Sequence, residues 1–382
     1  MKRGMFGVAV AALVALVPSG TALAGNGTPI NTGSANPLTL AVYGDAPYGA
    51  NNADTAAFEA TPAFIDAVNH DPKVALVAHV GDIHSGSQKC TVAYDQSVFN
   101  LWTAFKDPLV YTPGDNEWTD CQKPKELPGS DFGGDPLDNL AAVRSIFFPR
   151  VGYTLGGRPK QVLSQAQVGT GTDANYVENV MWEQSQTLFV TLNIPGGSNN
   201  DNDNWYGLAR TQAQTDEVSQ RTQADLDWLK QAFDQANADG AGSVVILTQA
   251  DMWDTSDTAS HELAYKPIID SLASNTLAFG QPVLLFNGDS HMYRSDDPLM
   301  PNSPCVVETG QPDTSTMPCP ADAYALNNAA YDVPNFHRIV VHGGTTYPAQ
   351  PLEYTRLTDD PRAHNSATST SFGPFSWERV QP

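Results

Sequence analysis

Short, continuous runs of apolar residues recur along the chain, separated by segments in which apolar positions follow the period of a helix. Continuous apolar runs rich in β-branched residues are typical of buried parallel strands. The helical segments are predicted over residues 54–68, 94–105 and 216–238, with a further one after His261. The runs predict strands at residues 38–43, 74–80, 109–113, 176–181, 188–194, 244–248, 283–287 and 336–342. This alternation of strands and helices predicts a layered α/β domain.

Four of the predicted strands end in the same dipeptide. The pairs are Gly44-Asp45, Gly81-Asp82, Gly114-Asp115 and Gly288-Asp289. The carboxyl ends of neighbouring strands in a parallel sheet meet at one edge, which is where such proteins place their sites. The position of these aspartates therefore favours a metal site built at that edge.

The N-terminus has the pattern of an export signal. Lys2 and Arg3 precede an apolar stretch at residues 8–17, and Ala22-Leu23-Ala24 fits the small-x-small cleavage rule. We expect a signal peptide at residues 1–24 and one domain at residues 25–382, with its motif-bearing core at about 38–345. The alternative is a buried N-terminal helix. Removal of a signal peptide predicts a secreted or periplasmic protein, and no later stretch is apolar enough to predict a membrane partner.

The chain is strongly acidic. Its formal net charge is −22, and it becomes more negative once Lys2 and Arg3 are removed. Such a charge disfavours binding to nucleic acid or to an anionic membrane surface. Any chemistry on phosphate groups would therefore need local cations, which bound metal can supply.

The four cysteines are Cys90, Cys121, Cys305 and Cys319. An even number of cysteines in an exported chain favours two disulfides. The chain contains no Cys-x-x-Cys spacing of the kind that indicates a zinc cluster. Three pairings are possible in principle. We favour Cys90–Cys121, because each follows a Gly-Asp pair by a few residues, and Cys305–Cys319, because these two bracket a proline-rich loop.

Five short motifs follow predicted strands in a fixed order. In order and placement they resemble those of the calcineurin-like metallophosphoesterase superfamily, which includes the purple acid phosphatases. The resemblance spans about residues 38 to 293. It implies an αββα sandwich and a phosphoesterase with two divalent metal ions that acts on a small phosphate ester. The motifs are Gly44-Asp45-Ala46-Pro47-Tyr48, Gly81-Asp82-Ile83-His84, Gly114-Asp115-Asn116-Glu117-Trp118, Gln249-Ala250-Asp251 and Gly288-Asp289-Ser290-His291.

The resemblance also implies a set of metal ligands. Asp82 takes the position of the carboxylate that bridges both metals, and Asp45 and His291 take positions at the first metal. Asp115 takes the place of the family's asparagine at the second metal. The remaining candidates depart from the family pattern: Gln249 and Asp289 stand where it has histidines, and Asp251 lies near enough to Gln249 to replace it as a ligand.

Two further departures concern histidines. Pro47 stands where the Asp-x-His motif has its histidine, and Tyr48 or His84 could fill that position. Asn116 stands where the family has the histidine that protonates the leaving group, and His84 is the candidate substitute. A site richer in oxygen and poorer in imidazole favours Mn²⁺, Mg²⁺, Ca²⁺ or iron over Zn²⁺.

Several alternatives stay open from the sequence. Arg294 could bind a substrate phosphate or pair with Asp296 or Asp297, and His342 could line the same edge of the sheet. His79 is expected to be a hydrogen-bonded core histidine. The polar segment 196–204 is expected to be an irregular loop, with calcium binding as a minor alternative.

Two functions compete. The first is an exported metal-dependent phosphoesterase, for which monoester and diester substrates are not separated. The second is a catalytically impaired protein of the same fold that acts as a metal-containing binding module. The oligomeric state does not follow from the sequence.

Overall fold

The computed structural model describes residues 35–48, 55–124, 132–201, 203–254, 258–300, 303–310, 313–318, 331–345, 347–349 and 351–382. The predicted signal peptide at residues 1–24 lies outside them. Across the described ranges, no helix is both long and apolar enough to cross a membrane.

The first sheet has seven strands among the described residues. Its order is β15-β16-β14-β1-β2-β3-β4, with β1, β2 and β3 parallel and β14 antiparallel to β1. The strands are β1 (Leu38–Tyr43), β2 (Leu76–His79), β3 (Pro108–Tyr111), β4 (Leu155–Gly156), β14 (Tyr354–Asp359), β15 (Ser371–Phe372) and β16 (Phe375–Val380).

The second sheet has nine strands in the described part of the chain. Its order is β12-β11-β10-β13-β9-β8-β7-β6-β5, with β7, β8, β9 and β13 parallel. The strands are β5 (Leu163–Ser164), β6 (Val180–Gln184), β7 (Thr187–Thr191), β8 (Ser243–Leu247), β9 (Val283–Asn287), β10 (Arg294–Asp296), β11 (Pro304–Gly310), β12 (Asp313–Pro318) and β13 (Phe336–Val340).

Helices connect the parallel strands. The longest, α6, ends at Gly240, whose φ of 68° is the left-handed conformation that favours glycine at a helix C-terminus. The helices are α1 (Thr55–His70), α2 (Val92–Trp102), α3 (Pro136–Phe147), α4 (Gln165–Val168), the single turn α5 (Gly196–Asn199), α6 (Gln212–Asp239), α7 (Ala259–Ala264) and α8 (Lys266–Phe279).

Three buried apolar clusters define four layers. One lies between the two sheets and includes Leu40, Phe189 and Leu284. A second packs α1, α2 and α3 against the outer face of the first sheet. The third packs α6 and α8 against the outer face of the second sheet. The order helix, sheet, sheet, helix confirms the predicted αββα sandwich.

The two sheets meet at the edge where the Gly-Asp pairs lie. Gly44, just beyond β1 of the first sheet, forms a parallel bridge with Gly343, just beyond β13 of the second. The carboxyl ends of β1, β2, β3, β8 and β9 therefore deliver their loops to one region.

The disulfide Cys90–Cys121 is present and confirms the first predicted pairing. It joins the loop after β2 to the loop after β3. Cys319 lies outside the described residues, so the second pairing stays a prediction.

Candidate metal centre

Two groups of potential metal ligands share one aspartate. Asp45, Asp82 and His291 each offer an atom within 4.8 Å of the others, and Asp82, Asp115 and Asp289 do the same. Asp82 is thus the common member, which is the placement expected of a bridging carboxylate. We refer to these five residues as the acidic centre.

The backbone at the acidic centre is unusual. The φ angles are 49° at Asp45, 60° at Asp82, 77° at Asp289 and 64° at His291. Residues other than glycine rarely adopt these left-handed conformations, which cost free energy and cluster at functional sites. Asp82 and Asp289 adopt this conformation directly after the glycine that follows their strand.

Two of the four glycines in the Gly-Asp pairs border a carboxylate of another pair. A Cβ atom added to Gly114 would lie 2.0 Å from Asp82 Oδ1, and one added to Gly288 would lie 2.5 Å from Asp45 Oδ2. Each glycine therefore leaves space for the carboxylate of a different Gly-Asp pair. At these two positions, glycine lets two strand ends approach closely enough to bring their carboxylates together.

Gln249 connects the two ligand groups through hydrogen bonds. Its Nε2 donates to Asp82 Oδ2 at 3.1 Å and to Asp115 Oδ1 at 2.9 Å, while its Oε1 accepts from the backbone N–H of Gly196. The amide can satisfy all these partners in only one orientation. Gln249, predicted as a metal ligand from its position, here donates a hydrogen bond to each of two carboxylates.

Glu117 fixes the loops that carry the centre. It is fully buried, and its Oε1 accepts from the backbone N–H groups of Asp82 and Gly114, both at 3.0 Å, and from Tyr111 Oη at 2.7 Å. It thus ties the loop after β2 to the loop after β3. This role of Glu117 did not follow from the sequence.

Tyr48 faces the histidine of the centre. Its hydroxyl lies 3.1 Å from His291 Nε2 and 3.4 Å from Asn116 Nδ2. The backbone N–H of Asn116 also donates to Asp82 Oδ1 at 3.2 Å. Tyr48, one of the two candidates for the position of the missing histidine, therefore lies beside the acidic centre.

Asp251 lies behind the centre. Its side chain is fully buried and pairs with Arg338, and its Oδ2 accepts from Ser290 Oγ at 2.8 Å. Its backbone N–H donates to Asp289 Oδ2 at 2.9 Å. The carboxylate of Asp251 thus has partners away from the two ligand groups, and its contribution to Asp289 is made by the backbone.

Burial and mutual repulsion perturb the carboxylates. The pKa values of Asp45, Asp82 and Asp289 are raised well above their usual range, first by burial. Burial raises the pKa of Asp115 to about 7, with the charge of Asp120 adding to the effect. The pKa of His291 is lowered to about 4, by burial and by His342, so its imidazole is neutral at pH 7.

The residues present fit divalent metal. Asp45 Oδ2 is buried without a hydrogen-bond partner. Within the described residues, no lysine or arginine forms an ion pair with the four aspartates of the centre or with Glu117. Buried charges without partners are costly, and carboxylate oxygens with one neutral imidazole form a donor set that binds hard divalent cations.

An open cleft of about 340 Å³ gives access to the centre. Among the described residues, its polar lining is neutral at pH 7 apart from the aspartates. The described residues that line it are Tyr48, Asp82, Ser85, Gly86, Asp115, Asn116, Asp289, His291 and Thr345.

His84 lies outside this lining. Its side chain is fully buried, with Nδ1 3.1 Å from the carbonyl oxygen of Ser85 and the ring packed edge-on against Tyr94. Arg294 also lies apart, where Nη1 donates to the carbonyl of Trp253 at 3.4 Å. Asp296, one of its predicted partners, instead pairs with Arg338 at 2.7 Å.

Two other histidines have structural partners. Nε2 of His79 lies 2.6 Å from the carbonyl oxygen of Ala46, and Nδ1 accepts from the backbone N–H of Gly81 at 3.1 Å. This confirms a core histidine, and burial lowers its pKa to about 3. His342 Nδ1 lies 2.9 Å from Glu308 Oε2.

The sequence reasoning missed the role of the segment after β7. Residues 197–200 have φ angles of 58° to 60°, forming a left-handed turn rather than an irregular loop. Arg221, fully buried on α6, donates to the carbonyl of Asn199 at 2.9 Å and also binds the Asn199 side chain. The turn presents Gly196 to Gln249. Clustered Gly and Asn residues, which tolerate positive φ, were the available signal.

No protein-family model matches the chain, and no curated protein matches its sequence. Among solved structures, the chain is similar to a purple acid phosphatase from seeds of yellow lupin (Lupinus luteus), with 11% sequence identity and a TM-score of 0.43. The match covers 93% of this chain and 52% of that chain, so this protein spans about half the length of that phosphatase. A similarity at this level does not establish a family.

Proposed function

We propose that this protein is a metal-dependent phosphoesterase with two divalent cations that share Asp82. The observation that carries the proposal is the membership of Asp82 in both ligand groups. Left-handed backbone at four of the five residues of the acidic centre supports it, because such strain persists where a site requires a defined geometry.

Each cation would have its own ligands besides the shared one. Asp45 and His291 would hold the first cation, and Asp115 and Asp289 the second. In such a centre, divalent cations offset charge on the phosphoryl oxygens and supply a nucleophile at neutral pH. The metals that fit this oxygen-rich set are Mn²⁺, Mg²⁺, Ca²⁺ or iron rather than Zn²⁺.

The surrounding residues would position this chemistry. Gln249 and Glu117 hold Asp82 from two sides: the Gln249 side chain donates to the Asp82 carboxylate, and the Glu117 carboxylate accepts from the Asp82 backbone N–H. Tyr48 and Asn116 offer neutral hydrogen-bond donors to a phosphate ester in the cleft. Since Asn116 cannot transfer a proton, departure of the leaving group would depend on its own basicity.

Export belongs to the proposal as well. The N-terminal pattern is that of a cleavable signal peptide, and the disulfide Cys90–Cys121 is of the kind that persists in oxidising compartments. The substrate would then be a small phosphate ester outside the cytoplasm.

The test is hydrolysis of p-nitrophenyl phosphate and bis-p-nitrophenyl phosphate by protein stripped with a chelator and reloaded. We expect activity to return with Mn²⁺ or Mg²⁺. Far higher activity with Zn²⁺ would contradict the argument from oxygen ligands.

A metal-containing binding protein is the second candidate. The observation that favours it is the placement of His84 outside the cleft lining, together with asparagine at position 116. Two bound metals without turnover of either ester would support this candidate and overturn the first.

A further inference from the structure

We infer that the cleft selects phosphodiester monoanions over phosphomonoester dianions. This inference rests on the proposed function and names the substrate class of that same site. It follows from the balance of charges around the acidic centre.

The negative side of that balance is large. Asp45, Asp82, Asp115 and Asp289 face one another, and Glu117 lies directly behind Asp82 with its Oε1 on the Asp82 backbone N–H. Two divalent cations would offset the four aspartates and leave no surplus positive charge for the substrate. Glu117 adds a further carboxylate to the surroundings.

Among the described residues, few positive charges lie near the acidic centre. Lys123 is the basic residue whose charge reaches Asp115, but its ammonium lies 2.8 Å from Asp120 and 3.5 Å from Asp203. No lysine or arginine is among the described residues that line the cleft. Every lysine and arginine between residues 35 and 382 except Lys125 belongs to the described part of the chain.

The donors that do line the cleft are neutral. Tyr48 and Asn116 can bind phosphoryl oxygens but do not compensate charge. A diester brings one negative charge to the cleft, whereas a monoester brings nearly two above its second pKa of about 6. The second charge of a monoester would therefore lack a partner in a site already rich in carboxylates.

Binding without turnover gives the first test. Protein reloaded with Mn²⁺ is titrated in a calorimeter with phenylphosphonate, a dianion at mildly alkaline pH, and with its monomethyl ester, a monoanion. At a protein surface, one unit charge at a distance of several ångströms changes the affinity about tenfold. We therefore expect the monoanionic methyl ester to bind about tenfold more tightly than the phenylphosphonate dianion. Equal or tighter binding of the dianion would overturn the inference.

Turnover gives a second test with a matched pair of variants. The ratio of kcat/KM for methyl p-nitrophenyl phosphate to that for p-nitrophenyl phosphate should rise as pH increases through about 6, where the monoester gains its second charge. Ser85→Lys places a cation in the cleft lining and should lower this ratio about tenfold. Ser85→Gln, a neutral side chain of similar reach, should leave the ratio near the parent value.

The outcomes separate the inference from the proposed function. Two outcomes would overturn the substrate class alone. One is an equal change in the kcat/KM ratio for Ser85→Lys and Ser85→Gln, and the other is a preference for the dianion in protein with two bound metals. Failure to bind either phosphonate and to hydrolyse either ester overturns both.

Discussion

Gln249 donates its side-chain N–H to Asp82 Oδ2 at 3.1 Å, with its own oxygen turned away toward Gly196. An amide nitrogen has no lone pair to offer a metal, so we expect Gln249 to stabilise the carboxylate as a hydrogen-bond donor rather than to bind a metal. The distinction has measurable consequences, because ligands and donors respond differently to substitution.

Gln249→Met should keep two metals per chain while destabilising the metal-free protein. Asp82 and Asp115 would each lose a donor, and a buried acceptor left without a partner costs about 1–3 kcal/mol. Chemical denaturation measures the loss, and metal analysis after reloading measures the stoichiometry. A variant that folds but binds only one metal would show that Gln249 is a ligand.

Gly114→Ala should disturb the centre through a steric clash. The added methyl group would lie 2.0 Å from Asp82 Oδ1, and overpacking of this kind typically costs about 1–3 kcal/mol. Gly242→Ala is the matched control, because the nearest atom to its methyl group is the Gln186 carbonyl oxygen at an ordinary 3.7 Å. Equal melting temperatures for the two variants would refute the interlocking of glycines and carboxylates.

Asn116→His should add a proton donor to the cleft. General acid catalysis contributes about 100-fold or more, and it helps most when the leaving group is basic. We therefore expect faster hydrolysis of alkyl phosphate esters, with little change for p-nitrophenyl esters. Asn116→Ala controls for loss of the amide. An equal increase in the rates for alkyl and p-nitrophenyl esters would argue against a missing proton donor.

The metal-free protein should lose stability as pH rises from about 6.5 to 8. Burial raises the pKa of Asp115 to about 7 in the folded state, above its value in the unfolded chain. The folded state therefore binds more protons than the unfolded state in this range, and its stability falls as those protons leave. The lowered pKa of His291, about 4, acts in the opposite direction only below about 6.5.

Thermal unfolding of chelator-treated protein across that range checks the sign. Asp115→Asn should show a shallower decline, because one of the titrating carboxyl groups is gone. Reloading with Mn²⁺ should reverse the trend, since metal binding is favoured when the carboxylates are ionised. A melting temperature of the metal-free protein that increases between pH 6.5 and 8 would contradict the account.

Local patterns predicted the elements that place the centre. The apolar runs that became β1, β2, β3 and β9 end directly in Gly-Asp, and Gly240 ends α6. These features depend on burial and on glycine conformation within a few residues. The same reasoning placed the candidate ligands at one edge of the fold.

Long-range contacts account for what was missed. Strand β14 joins the first sheet through pairs such as Leu40 with Leu357, which no local pattern specifies. The hydrogen bond from the backbone N–H of Gly196 to Gln249 joins residues far apart in the chain, so position alone does not specify it.

Metal stoichiometry of Asp82→Asn tests the shared ligand most directly. Chelated protein is reloaded with Mn²⁺, freed of excess metal and analysed for bound ions and for hydrolysis of bis-p-nitrophenyl phosphate. Asp120→Asn is the control, since Asp120 lies close to the centre, pairs with Lys123 and belongs to neither ligand group. The account predicts two ions per chain in the parent and in Asp120→Asn, and loss of metal and of activity in Asp82→Asn. Two tightly bound ions and full activity in Asp82→Asn would contradict it.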